Sequence, residues 1–275
     1  MDWSEDRQVA HRAARQAGEI MDRRVGEDFR SAEGTDAKSN ANDLVTEVDR
    51  VCQRAVVETI EAQFPDDRIV GEEDDRQNAI DEGREWIVDP IDGTANFATG
   101  FPYYCVSIAL RVDGETRVGV VHSPEAALGR TYYAVAGEGS YCSHNGGLDG
   151  DPITVSDHRP VEGALVHARV SERSGTRRAR DLAVVLPLLE RGAKLRRTAS
   201  TALNLCQVAA GNADGYVVLS SNVWDFAAGE LLVEEAGGTV RYLETAAMDA
   251  GLIASNGQLQ ETLEGIVAHT TRRET

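Results

Sequence analysis

The sequence predicts a mixed fold, an α+β half packed on an α/β half, and three observations predict it. Two amphipathic helical stretches open the chain, hairpin signals take over from residue 86, and beyond residue 151 strands and helices alternate. The 275 residues suffice for one large domain or two modest ones, and a hydrophobic fraction of 41% can bury a core. The Gly/Asp-rich stretch 145–151 sets the expected boundary, with halves 1–150 and 151–275.

The elements follow in order. Val9, Ala13, Ala17, Ile20 and Met21 recur at helical spacing, so 4–24 reads as a helix with Ser4 as its N-cap. The polar residues 27–42 read as a loop or mobile hairpin, and a second helix starts near Thr46 and ends at Pro65. "RIVGEE" is a short strand running into acids, and Trp86-Ile87-Val88 is an apolar one. "CVSIALRV", Asp113-Gly114 and "ETRVGVVHS" form a hairpin pattern around a turn dipeptide. "RTYYAVAGEGSYC" and "PITVSD" read as further strands. Strands at 163–170, 193–197, 215–220, 239–243 and 252–254 then interleave with helices at 177–190, 200–211, 225–236 and 257–269.

Composition narrows the setting. There are 46 acidic and 28 basic residues, for a formal net charge of −18, and Lys38 and Lys194 are the two lysines. Such a surface repels itself until salt screens it, as in proteins from a cytoplasm with molar salt. It also argues against a nucleic-acid partner, because phosphate backbones need a basic face. No apolar run reaches membrane-spanning length, and the charged N-terminus lacks a signal-peptide block, so a cytoplasmic protein with no membrane partner is expected. Cys52, Cys105, Cys142 and Cys206 are scattered and read as buried free thiols.

The chemistry concentrates in "WIVDPIDGTANF", residues 86–97. An apolar strand that ends in carboxylates delivers them to the rim of a sheet. Asp89 and Asp92 would repel across a short loop unless a cation sits between them, and hard divalent ions such as Mg²⁺ suit an all-oxygen shell. Gly93, Thr94, Ala95 and Asn96 then begin a helix, whose free N–H groups are a natural seat for phosphate. Glu72 in "VGEED", Asp225 in "VWDFAAGE", and Asp43 and Asp49 in "DLVTEVD" fit the same picture. Taken singly, Glu72 reads as a solvated acid, Asp225 as a helix cap, Asp43 and Asp49 as cap and surface residues, and Lys38 as solvated. "DPIDGT" stands on its own.

At these residues the chain resembles the inositol monophosphatase family of Mg²⁺-dependent, lithium-sensitive phosphatases. "WIVDPIDGTANF" and "WDFAAGELLVEEAGG" (224–238) match its two signatures, while "GEE", "DLVTEVD" and "STALNLCQVAAGNADGY" match shorter blocks between roughly residues 5 and 258. The resemblance implies the layered αβαβα sandwich shared with fructose-1,6-bisphosphatases. It implies two to three Mg²⁺ ions, with Glu72, Asp89 and the Ile91 carbonyl on the first and Asp89, Asp92 and Asp225 on the second. Glu72 would also place a third, weaker ion and the attacking water. Gly93 and Thr94 would grip phosphate through backbone N–H groups, and the Thr94 hydroxyl, paired with Asp49, would orient or deprotonate the water. Ser200, Thr201, Ala202 and Arg197 would contact substrate, and Lys38 would sit on a loop near the metals.

One departure bears on substrate. Where inositol-specific members carry a glutamate seven residues before the second-signature aspartate, this chain has Val218, which cannot bond ring hydroxyls. Arg169, Arg173, Arg196 and Arg197 are candidates for a second phosphate. The expected activity is hydrolysis of a small sugar or polyol phosphate by metal-activated water, with inositol-1-phosphate and fructose 1,6-bisphosphate favoured. Another small phosphate, such as a 3′-phosphoadenosine nucleotide or histidinol phosphate, is the alternative, as is a non-catalytic RNA-associated regulatory role. The family resemblance also implies a homodimer.

Overall fold

The computed structural model describes residues 2–25, 37–72, 82–171, 175–243 and 250–271. Helices α1 (Ser4–Arg24) and α2 (Ala37–Glu61) lead into β1 (Arg68–Gly71), β2 (Arg84–Asp92) and the short α3 (Thr94–Thr99). β3 (Cys105–Val112), β4 (Glu115–Ser123), β5 (Arg130–Val135), β6 (Gly139–Ser143) and β7 (Asp151–Pro152) complete a seven-stranded sheet in the order β1 to β7. Only the β1–β2 pair is parallel. β8 (Leu165–Ala168), α4 (Thr176–Glu190), β9 (Lys194–Arg196), α5 (Thr201–Ala209), β10 (Gly215–Ser221) and α6 (Val223–Glu235) follow. β11 (Thr239–Leu243), β12 (Ala250–Ser255) and α7 (Gln260–Thr271) close the chain, giving a second sheet ordered β11-β12-β10-β8-β9.

The strand side chains explain the layers. Trp86, Val88, Ile108 and Val120 face Val9, Ala13, Ala17 and Met21 of α1. Their neighbours Ile87, Ala109, Val121 and Tyr132 face the other way, onto α5 and α6. Both faces of the first sheet are therefore covered, so β2 is buried along its length without alternation. Tyr216, Val218, Leu252 and Ala254 bring the second sheet onto the same central helices. Its outer face carries Val166, Val217 and Ile253 against Val184 and Leu188 of α4 and Leu263 and Ile266 of α7. The stack reads αβαβα. Close approach of α6 depends on Gly119, where a Cβ would lie 2.7 Å from the Ala228 carbonyl oxygen.

Three local expectations change. The second helix begins at Ala37, well before Thr46, so part of the expected loop, including Lys38, is helical. Helix α1 starts at Ser4 with Trp3 in the N-cap position, and the Asp2 carboxylate accepts from the Ser4 N–H at 2.9 Å. Of "PITVSD" only Pro152 joins the sheet, within β7. Beyond it the Val155 N–H bonds the Ala236 carbonyl at the end of α6, pulling the chain off the sheet edge. The expected hairpin holds, with Asp113 and Gly114 at φ 53° and 79°, the left-handed pair that a two-residue turn demands.

Candidate active site

A cavity of about 580 Å³ opens where the two sheets and α5 and α6 meet. Glu72, Asp89, Ile91, Asp92, Gly93, Thr94 and Asp225 all line it. Residues three apart on a regular strand point to opposite faces, so Asp89 and Asp92 need a device to share one space. That device is a bulge. Asp89 pairs with Ser107 and Asp92 with Cys105, so three steps along β2 match two along β3. Pro90, with no N–H to leave stranded, sits inside the irregular stretch. The Ile91 N–H folds back onto Asp89 Oδ1 at 3.0 Å and stiffens the turn.

The other acids arrive from neighbouring elements. β1 runs parallel to β2, and the Glu72 N–H bonds the Val88 carbonyl at 3.2 Å, which sets Glu72 beside Asp89. Asp225 lies in the first turn of α6, where Oδ2 accepts from the Ser221 hydroxyl at 2.6 Å and from the Asn222 N–H at 3.1 Å. Asp49 on α2 is buried behind them and does not line the cavity. Lys38 and Asp43 lie on α2, and their side chains fall outside what the structure describes.

Asp92 is held more tightly than its sequence suggests. Ser200 donates its hydroxyl to Oδ2 at 2.6 Å, the Ala202 N–H donates to Oδ2 at 2.7 Å, and the Thr201 N–H donates to Oδ1 at 3.1 Å. Ser200 also caps α5 by accepting from the Leu203 N–H. The carboxylate thus occupies the positive end of α5. Of the groups expected at the substrate, the Ser200 hydroxyl and the Thr201 and Ala202 N–H groups go to Asp92, while the Thr201 hydroxyl lies on the cavity wall beside Tyr216. The Thr94 hydroxyl donates to the Ile91 carbonyl at 2.9 Å, so its one proton is not turned to Asp49.

Electrostatics say what is missing among these acids. Burial pushes the Asp89 carboxyl well above the usual range, and the charges of Glu72, Asp92, Asp225 and Asp49 push it further. Burial, then Asp225, pushes Asp92 up to about 6, against the lowering effect of its Ser200, Ala202 and Thr201 donors. Arg169 approaches Asp225 Oδ2 at 3.7 Å, but its side chain is half exposed. Among the described residues no three His, Cys, Asp or Glu side chains stand close enough together to hold one metal ion. The donors surround a common space, all of them oxygen, and a hard dication there would relieve their repulsion. The residues therefore fit Mg²⁺.

Gly93 supplies the second feature. Its φ of 95° turns the strand into α3, and a Cβ there would lie 2.9 Å from the Tyr103 carbonyl oxygen. The Asn96 and Phe97 N–H groups bond the Gly93 carbonyl at 2.8 and 3.0 Å, so the Gly93, Thr94 and Ala95 N–H groups precede the first bond of the helix.

Arginines share the lining with the acids. Arg169, Arg177 and Arg197 line the cavity. Arg169 reaches the Ser220 carbonyl at 3.3 Å, and Arg197 reaches the Val170 carbonyl at 3.1 Å. Arg196 turns to the Leu195 carbonyl and does not line it, while Arg173 lies outside the described residues. Arg177, Asn204, Tyr216, Ser220 and Ser221 also line the cavity and were not singled out in the sequence. Val218 is buried in the central core, so its position gives the cavity no polar group.

The comparisons with known proteins agree with this geometry. The model of the inositol monophosphatase family matches residues 2–274. This chain belongs to the inositol monophosphatase family. A Nus factor SuhB from Pasteurella multocida is 37% identical over 232 residues, covering 84% of this chain and 83% of that protein. The Escherichia coli Nus factor SuhB is 34% identical over 233 residues, with the same coverage of 84% and 83%. Among solved structures, Thermotoga maritima IMPase superposes with a TM-score of 0.79 at 31% identity, covering 97% of this chain and 98% of that one. Mycobacterium tuberculosis SuhB gives 0.80 at 29% identity, covering 97% of each. The family fold supports a phosphatase and is generally Mg²⁺-dependent.

Proposed function

We propose that this protein is a Mg²⁺-dependent phosphomonoesterase acting on a small sugar or polyol phosphate. The observation that carries the reading is the convergence of Glu72, Asp89, Asp92 and Asp225 on one cavity beside the Gly93–Thr94 helix start. Glu72, Asp89 and the Ile91 carbonyl would hold one ion, and Asp89, Asp92 and Asp225 another. Bound there, the metal supplies an acidified water and neutralises charge that grows on the phosphate. The chain's own groups do the rest. The N–H groups of Gly93 and Thr94 seat the phosphate, Glu72 places the water, and the bulge and α5 keep Asp89 and Asp92 aimed inward. Asp49 acts from behind, through charge. Residues 1–150 bring the first signature and residues 151–275 the second.

Inositol-1-phosphate and fructose 1,6-bisphosphate are the favoured substrates, the second because Arg169, Arg177 and Arg197 line the same cavity. Purified protein assayed with Mg²⁺ at high salt on these two, a 3′-phosphoadenosine nucleotide and histidinol phosphate tests the assignment. Release of phosphate from neither sugar nor polyol ester would overturn it. Inversion at a chiral phosphate is expected from direct attack by water.

The family context and the −18 charge suggest a homodimer working in a salt-rich cytoplasm. Light scattering at high salt checks the dimer. Among the described residues no helix is long and apolar enough to cross a membrane, and all four cysteines are free and buried. A second reading, a non-catalytic regulatory role, is favoured by relatives that carry the name Nus factor. Asp92→Asn separates the two. Loss of turnover together with the cellular phenotype supports the enzyme, and loss of turnover with cellular function intact supports the regulator.

A further inference from the structure

Asn204 sits one turn into α5, is almost wholly buried, and lines the same cavity. Its side-chain oxygen accepts from the Tyr103 hydroxyl at 3.1 Å and from the Thr198 hydroxyl at 2.5 Å. Two donors fill the acceptor capacity of an amide oxygen. That arrangement turns the Nδ2 amino group away from both hydroxyls, toward the cavity, and no acceptor meets it among the described residues. Nearby Asn96 shows the usual outcome. Its Nδ2 donates to the Tyr103 and Thr198 carbonyls, each at 2.7 Å. A donor left open to the cavity is met by water until a ligand acceptor takes its place.

The surroundings say what kind of acceptor fits. The Thr201 and Tyr216 hydroxyls lie 3.0 Å apart on the same cavity wall, and both residues are buried. One proton lies between them, so a second is available to a ligand. These are neutral groups, unlike the carboxylates at Asp89 and Asp92 or the arginines. Neutral donors discriminate for hydroxyl and ether oxygens, because an analogue lacking those oxygens leaves buried donors unmet. Val218 adds no polar group, so the reading falls to Asn204 and Thr201 of α5 and Tyr216 of β10.

We propose that Asn204 is a specificity-determining residue, donating from Nδ2 to a hydroxyl or ring oxygen of a polyhydroxylated phosphoester. This rests on the phosphatase reading above and narrows its substrate class to esters whose alcohol carries further oxygens. The test compares inositol-1-phosphate with p-nitrophenyl phosphate, an ester with no hydroxyl on its leaving group, under Mg²⁺ at high salt. Wild type, Asn204→Ala and Asn204→Asp are assayed. The Asp variant keeps an acceptor for Tyr103 and Thr198 and removes the amide donor, so it stands in if the Ala variant fails to fold. The readout is the ratio of kcat/KM for the two substrates, in which losses common to both cancel. The expected result is a fall in that ratio of about tenfold or more, carried by KM for inositol-1-phosphate. An unchanged ratio, with both substrates losing equally or neither losing, overturns the assignment while leaving the phosphatase reading intact. Wild type inactive on both substrates overturns both.

Discussion

The two walls of the cavity are built differently. The acidic wall is fixed: Asp89 and Asp92 are buried, a bulge aims them, and three donors from the start of α5 grip Asp92. The arginine wall is loose: Arg169, Arg177 and Arg197 are exposed, and Arg169 and Arg197 lean on backbone carbonyls. Rigid first contacts suit chemistry, where a small misplacement is expensive. Exposed, long side chains suit substrate choice, where each contact is worth little and can change. On the phosphatase reading, the contrast gives chemistry to the acidic wall and contact with a second phosphate to the arginines.

The largest effect expected is at Asp89. Asp89→Asn removes a shared ligand and lowers turnover on the order of 10³-fold. In chelator the same variant melts higher than wild type, because a buried carboxylate pressed by four acids becomes neutral. A lower melting point in chelator would show that the acids do not strain the metal-free fold.

Acid comes next and strikes both halves. His122 lies on β4 of the first sheet and His167 on β8 of the second, both buried, and burial pulls each pKa from 6.5 to about 4. Folding keeps both neutral where the unfolded chain would take up protons. Their contribution is present above pH 6.5 and is lost as pH falls toward 4. Complete loss is worth about 3 kcal/mol for each. Denaturant melts between pH 7 and pH 4 check it, and His122→Phe should flatten the slope over that interval.

Ser200→Ala is expected to cost about 1–2 kcal/mol of stability, from a lost cap and a lost bond to Asp92. It should also weaken Mg²⁺ binding by roughly 10–100-fold, which titration calorimetry reads directly. Stability loss with Mg²⁺ affinity unchanged would reduce Ser200 to a cap. The smallest effects belong to the arginines. Arg177→Gln and Arg197→Gln should leave melting within about 0.5 kcal/mol. They should reduce fructose 1,6-bisphosphate hydrolysis by no more than about tenfold relative to inositol-1-phosphate, and less at high salt.

Much of the fixed wall was legible in the sequence, and little of the loose one. "DPIDGT" announces itself because acids, proline and glycine end an apolar strand, and the structure gathers Glu72, Asp89, Asp92 and Asp225 around one cavity. The hairpin at Asp113-Gly114 was readable because few dipeptides accept two left-handed residues. The bulge was not, since a slip in pairing depends on the partner strand. The bond from Ser200 to Asp92 was not legible because it spans 108 residues of chain, and only the family resemblance pointed to Ser200, as a substrate contact. Asn204 carried no signal: one amide in an apolar helix looks alike whether its donors are met or open. The start of α2 was missed because Ser39, Asn40, Asn42 and Asp43 favour caps and turns over helix interiors, and local propensity is a weak guide.

The measurement that tests the central claim most directly is phosphate release from inositol-1-phosphate by chelator-treated protein, titrated with Mg²⁺ at high salt. Release should be absent at first, rise with Mg²⁺ to saturation, and stay absent in Asp89→Asn at the same concentrations. Release that ignores Mg²⁺, or an Asp89→Asn protein that follows the wild-type curve, would contradict the account.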